Sequence, residues 1–268
     1  MQVIGLCRFS YLGEGGFQVE HATLAERAAF LYDPARLDAR FRAFEAVTLP
    51  AMRGQTDPDF TLLVVIGDSF PVAARARLDR LLADIPQAVV QAHPPGPHRQ
   101  VMRDAINSIR RAAALPCLQF RMDDDDAVAL DFVARLRADA ARIAPLLADE
   151  RHVAIDYRSG FAAHFGPDGI GAVAINEPCW TPALAIAFAP QVDLSILNFA
   201  HAKLPRMMPL LSFSDRPMFV RGISDLNDSR QKEGIKPHRF QPLTPDERQM
   251  FRKTFGIDQA RVKAILRG

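Results

Sequence analysis

Short apolar runs alternating with helical patterns constrain the first half of this chain more than any other feature. Residues 3–9, 60–66, 88–92 and 116–122 read as strands, and residues 33–49, 71–83 and 99–113 read as helices between them. Leu37, Phe41, Phe44 and Val47 give the first of those helices an apolar face at helical spacing. Alternation of this kind builds βαβ units and a largely parallel sheet. The stretch from Phe60 to Ile66 is almost wholly apolar, as in a strand covered on both faces. An α/β fold is expected, and such a sheet takes its ligands at the carboxyl ends of its strands.

The second half reads as a helix over 127–143, then strands over 152–164 and 170–175 around the turn Gly166-Pro167-Asp168-Gly169. After Glu177, prolines punctuate the chain. Thr244-Pro245-Asp246-Glu247 has capping-box spacing with Pro at the first helical position, Gly256 stops that helix, and 258–267 forms a last one. A length of 268 residues fits one large α/β domain, or one domain with a C-terminal elaboration, and 49% hydrophobic residues suffice for a substantial core. The net charge of +2 creates no field that demands a nucleic-acid partner. Cys7, Cys117 and Cys179 lie far apart and form no CxxC pair, which argues against a disulfide framework or zinc knuckle and suits a reducing cytoplasm. Residues 1–6 read as strand rather than signal peptide, and no stretch nears the ~20 apolar residues a spanning helix needs.

The chemistry centres on Asp123-Asp124-Asp125-Asp126, which directly follow the strand ending Phe120-Arg121-Met122. Four adjacent carboxylates repel one another, and a divalent cation relieves that repulsion. Oxygen ligands select Mg²⁺ or Mn²⁺, either of which bridges to substrate phosphates. The bland reading is a solvated loop that starts a helix, since acids favour helix N-termini.

Arg121-Met122-Asp123-Asp124-Asp125-Asp126-Ala127 resembles the R-hydrophobic-D-x-D-D-A motif of type-A (GT-A) glycosyltransferases, and in particular of the bacterial family of rhamnosyl transferases. Arg8-Phe9 at the end of the first strand, the run from Phe60 to Asp68, and Arg216–Gly222 leading to Asn227-Asp228-Ser229 agree with that family in order. Where relatives often carry His before the late glycine, this chain has Arg221. The resemblance implies a GT-A-like, mixed but mostly parallel sheet flanked by helices, with a catalytic domain over 1–230 and a helical extension over 231–268. It implies transfer of a sugar, by family name rhamnose, from a nucleotide-diphosphate donor to a glycan or glycolipid hydroxyl, in the synthesis of cell-surface polysaccharide or glycolipid.

Residue roles follow from the same resemblance. Asp123 would meet the donor's ribose or sugar and also the metal, Asp125 would be the main metal ligand, Asp126 a further one, and Asp124 would face solvent. Arg8, Arg99 and Arg103 would line the donor cleft, and Asp68 would meet the nucleobase. His201 is the candidate for an additional metal ligand. Glu177 is the candidate base beside Trp180, the only tryptophan and a candidate shelf for an acceptor sugar, with Asp156 and Asp193 as alternative bases. The basic C-terminal helices could touch an anionic membrane surface where acceptors reside. The main rival is a metal-dependent nucleotide-sugar phosphohydrolase or nucleotidyltransferase. Against it, the chain has no P-loop, no HExxH motif and no second acid pair spaced for two metals.

Overall fold

The computed structural model describes residues 1–15, 21–111, 114–224 and 238–268. Its first half runs β1 (Gln2–Arg8), α1 (Leu24–Leu31), α2 (Pro34–Ala43), α3 (Leu49–Arg53), β2 (Thr61–Gly67), α4 (Val72–Leu82), β3 (Ala88–His93), α5 (His98–Ser108) and β4 (Cys117–Met122). Then follow β5 (Ala127–Val128), α6 (Phe132–Ile143), β6 (His152–Tyr157), β7 (Ser159–Gly166), β8 (Gly169–Asn176) and β9 (Leu184–Phe188). The chain ends with β10 (Leu210–Phe213), β11 (Phe219–Gly222), β12 (Gln241–Pro242), α7 (Pro245–Phe255) and α8 (Gln259–Arg267).

Two sheets divide these strands. The larger has the order β10-β6-β9-β4-β1-β2-β3, and the smaller β12-β8-β7-β11-β5. In the larger sheet only β9 runs against the rest, pairing antiparallel with both β4 and β6. The α/β architecture with a mostly parallel sheet is thus as the sequence implies. β2 is buried from Leu62 to Gly67, the pattern of a strand covered on both faces.

Among the described residues the chain crosses between the sheets five times: from β4 to β5, from β5 through α6 to β6, from β6 to β7, from β8 to β9 and from β10 to β11. Three of these crossings leave the carboxyl ends of large-sheet strands. The one from β8 enters the start of the reversed β9, which lies along the same edge. Backbone bonds lace that seam: Glu177 N–H donates to Arg158 O at 3.0 Å, Arg158 N–H to Phe213 O at 2.9 Å, and Tyr157 N–H to Ala183 O at 3.0 Å.

Several sequence expectations change at the crossings. The strand expected over 152–164 is two strands, because the chain changes sheets at Arg158. The helix expected over 127–143 starts only at Phe132, because Ala127 and Val128 pair with Val220 and Phe219. The helix expected over 33–49 passes from α2 through a wide π turn, Phe44–Thr48, into α3. Helix α1 was not expected, although Thr23 accepts from Glu26 N–H and Glu26 accepts from Ala22 N–H, a local capping pair.

The C-terminal helices join the same core. Thr244 and Glu247 form the expected capping box, and Gly256 ends α7 at φ 72, a left-handed position glycine adopts without strain. Phe251 packs its ring 5.1 Å from Phe161 of β7, and Phe251, Phe255, Ile257 and Val262 are buried. Burial of each phenylalanine contributes roughly 1.5–3 kcal/mol. The boundary expected at 230/231 lies outside the described residues. All three cysteines are free and buried, and no described helix is long and apolar enough to cross a membrane.

Candidate functional site

Asp123 to Asp126 form the crossing from β4 to β5, at the carboxyl edge of the large sheet. Burial alternates along this turn. Asp124 and Asp126 are buried, at 3% and 1% exposure, whereas Asp123 and Asp125 keep some exposure.

The buried pair secures the turn. Asp126 Oδ2 accepts from Asp123 N–H at 2.9 Å, and its Oδ1 accepts from Gly222 N–H at 3.2 Å. Asp124 Oδ1 accepts from Arg40 Nη2 at 2.7 Å in an ion pair almost wholly shielded from water. This corrects the expectation that Asp124 faces solvent: Arg40 reaches it from α2, and an unpaired carboxylate there would be costly. Thr48, at the end of the π turn, donates from Oγ1 to Asp126 O at 2.8 Å. Gly222 sits so close that a Cβ would lie 2.4 Å from Asp125 O and 2.7 Å from its Oδ2. Only glycine lets β11 approach the turn this far.

Charge is unevenly balanced across the four acids. Burial pushes the Asp123 carboxyl up, but Arg8, Arg121, Arg221 and Arg40 together hold it below the usual carboxylate range. Asp125 is pushed well above that range, by burial and then by Asp126, Asp124 and Asp123. Asp126 rises to about 7, through burial and the charge of Asp123. The like charge of its neighbours thus bears hardest on Asp125.

Carboxylates crowded in this way form an all-oxygen donor set that fits one hard divalent cation. The geometry narrows the ligands that would hold it. Asp126 accepts from two backbone N–H groups and Asp124 is paired with Arg40, while Asp123 and Asp125 are the carboxylates that keep some exposure. Among the described residues, no three His, Cys, Asp or Glu side chains converge as a ready metal cage. The expected set of Asp123, Asp125, Asp126 and His201 is accordingly not assembled. Two carboxylates nonetheless suffice for Mg²⁺ or Mn²⁺ when substrate phosphates and water complete the shell.

A cationic flank adjoins the turn. Arg8 closes β1, and Arg121 is pushed down to about 10 by burial, against the pull of Asp123 and with Arg8 and Arg221 adding to the depression. His98, the first residue of α5, is lowered to about 4 by burial and by Arg8, Arg99 and Arg121. Arg99 is exposed at that helix start, whereas Arg103 pairs with Asp104 at 3.1 Å. Asp68 is exposed just after β2, where its charge reaches Tyr11 and Tyr32.

On the other flank, Arg221 lies 5.0 Å above the Trp180 ring while its charge acts on Asp123 and Asp126. Half-buried Trp180 thus stands one side chain from the acid turn. Glu177 is exposed in the same crossing loop. Asp156 is not: it is 0% exposed, with Oδ1 accepting from Cys179 N–H at 3.0 Å and Oδ2 accepting from Ser212 Oγ at 2.8 Å. A carboxylate so enclosed does not meet an acceptor hydroxyl, which corrects its assignment as a base. His201, from the segment after β9, reaches back to that loop, its Nδ1 2.8 Å from Cys179 O. Sequence reasoning missed Arg40, Thr48 and Gly222 as supports of the turn, because nothing local marks a partner so remote in the chain. Asn227, Asp228 and Ser229 lie outside the described residues.

Residues 2–236 match the model of the protein family described as "Putative rhamnosyl transferase". No curated protein matches the sequence. Among solved structures, S. aureus TarS 1–349 aligns with a TM-score of 0.42 at 10% identity, covering 83% of this chain and 60% of that one. TarS 1–349 in complex with UDP aligns with a TM-score of 0.40 at 12% identity, covering 84% and 61%. This chain therefore spans about 60% of the length of those TarS chains. The family match covers most of the sequence, and the chain belongs to that rhamnosyl transferase family.

Proposed function

We propose that this rhamnosyl transferase family member is a GT-A-like glycosyltransferase that moves a sugar, rhamnose by the family's description, from a nucleoside-diphosphate donor to a hydroxyl of a glycan or glycolipid. The observation that carries the reading is the acid turn at the carboxyl edge of the large sheet, with Asp123 and Asp125 partly exposed and Arg8, Arg121 and Arg221 acting on it electrostatically. Carboxylates and arginines together suit a diphosphate that arrives with a divalent cation.

Asp123 and Asp125 would hold Mg²⁺ or Mn²⁺, which when bound supplies Lewis-acid neutralisation of the departing diphosphate. Arg8 and Arg121 orient the phosphates from the β1 and β4 ends. Arg99 and Asp68 line the donor side, Asp68 toward the nucleobase. Trp180 offers an aromatic face to the acceptor sugar. Glu177 takes the proton as the acceptor oxygen bonds to the anomeric carbon and the bond to the diphosphate breaks.

A thermal-shift series of nucleoside diphosphates, each with and without Mn²⁺, tests the donor site. A ligand at a hundred times its Kd stabilises by about 2.7 kcal/mol, which for a chain of this size raises the Tm by roughly 5–10 °C. One nucleotide should give that shift only with metal present. Equal shifts without metal, or none for any nucleotide, would remove the basis for the proposal.

A further inference from the structure

The loop over 177–183 is held more tightly than a connection between two strands requires. Cys179 sits at φ 58, a left-handed conformation that is strained for a residue with a side chain. Both of its backbone polar groups are gripped from elsewhere. Its N–H donates to Asp156 Oδ1 at 3.0 Å, and its carbonyl lies 2.8 Å from His201 Nδ1. Asp156 comes from β6, where its register partner across the sheet is Ser212, the same residue that donates to its other oxygen at 2.8 Å. His201 opens a 3₁₀ turn, His201–Arg206, beyond β9. Two separate elements thus clamp one strained residue, and the next residue in the chain is Trp180.

Burying a carboxylate is expensive, and a connection alone could be closed by apolar packing. Charge spent here fixes a direction: it holds Cys179 in a conformation it would otherwise leave, and so fixes where Trp180 meets Arg221 and where Glu177 emerges. The ring contact with Arg221 at 5.0 Å ties that direction to the strand whose end touches the acid turn.

We infer that Asp156 and His201 are positioning residues for the acceptor: they hold the loop over 177–183 so that Trp180 and Glu177 present a saccharide hydroxyl to the donor. This rests on the glycosyltransfer reading for the identity of the ligand, though the clamp itself does not. Asp156 acts through Cys179, and it neither touches substrate nor moves a proton.

Trp180 is the chain's only tryptophan, so its emission reports on the loop without any assay of transfer. Asp156→Asn keeps both contacts, with the amide oxygen accepting from Cys179 and the amide nitrogen donating to Ser212. It should leave the emission unchanged and kcat within about threefold of the parent. Asp156→Ala and His201→Ala should shift the emission to the red and admit acrylamide to the ring. Both should raise the acceptor KM about tenfold while the donor KM stays within about twofold. If Asp156→Ala does not fold, His201→Ala carries the test. A hundredfold loss of kcat in Asp156→Asn with unaltered emission would make Asp156 a base and overturn the inference. Unchanged emission and acceptor KM in both alanine variants would overturn it as well. If the parent transfers no sugar to any acceptor, the glycosyltransfer reading falls, and the emission measurements still decide whether the clamp exists.

Discussion

The acid turn and the loop over 177–183 perform the same structural task by different means. Both carry the chain between the two sheets at one edge. The acid turn concentrates like charge in sequence and is balanced from a distance, by Arg40 on α2 and by Arg8, Arg121 and Arg221. The loop concentrates nothing in sequence, and a single buried carboxylate plus one histidine secure it. In the turn, the crowding of like charge at Asp125 suits a cation. In the loop, each oxygen of Asp156 has a donor, so its charge serves geometry. A carboxylate's role is thus set by how many donors meet it, which its position in the sequence does not reveal.

That contrast can be broken at the turn's supports. Arg40→Met should cost most, about 3–5 kcal/mol of stability by urea unfolding, because it leaves Asp124 buried without its cation. Asp124→Asn combined with Arg40→Met should recover most of that loss. A cost below about 1 kcal/mol would place the pair among surface ion pairs instead. Gly222→Ala should cost about 1–3 kcal/mol, since its Cβ would meet Asp125 O at 2.4 Å and neither β11 nor the turn has room to give. A variant with parent-like stability and parent-like metal affinity would show that the turn tolerates displacement, and the contrast with the clamped loop would lose its force.

What the sequence disclosed follows the range of the interactions involved. β1, β2 and β4 were legible because their burial leaves runs of apolar residues, and α7 because Thr244, Glu247 and Gly256 are local signals. The acid run was visible for the same reason. β5 was hidden inside an apparent helix because Ala127 and Val128 take their partners from β11, far along the chain. β9 is a short apolar run, Leu184–Phe188, that the surrounding prolines obscured. Arg40 carries no local signal of its role, since its partner Asp124 is brought to it only by folding. Asp156 and His201 have acid–base and metal-ligand side chains, and only the geometry around Cys179 shows what they hold.

In the proposed reading, Asp125 is the residue through which the turn would hold its cation. Asp125→Asn is nearly isosteric and removes one of the charges that crowd the turn, so the chain should fold at least as well as the parent. Transfer with Mn²⁺ and the nucleotide sugar chosen by the thermal-shift series should fall about a thousandfold, or ~4 kcal/mol of barrier, and added metal should not restore it. A folded Asp125→Asn protein that transfers sugar at the parent rate, with the parent's dependence on Mn²⁺, would contradict the assignment.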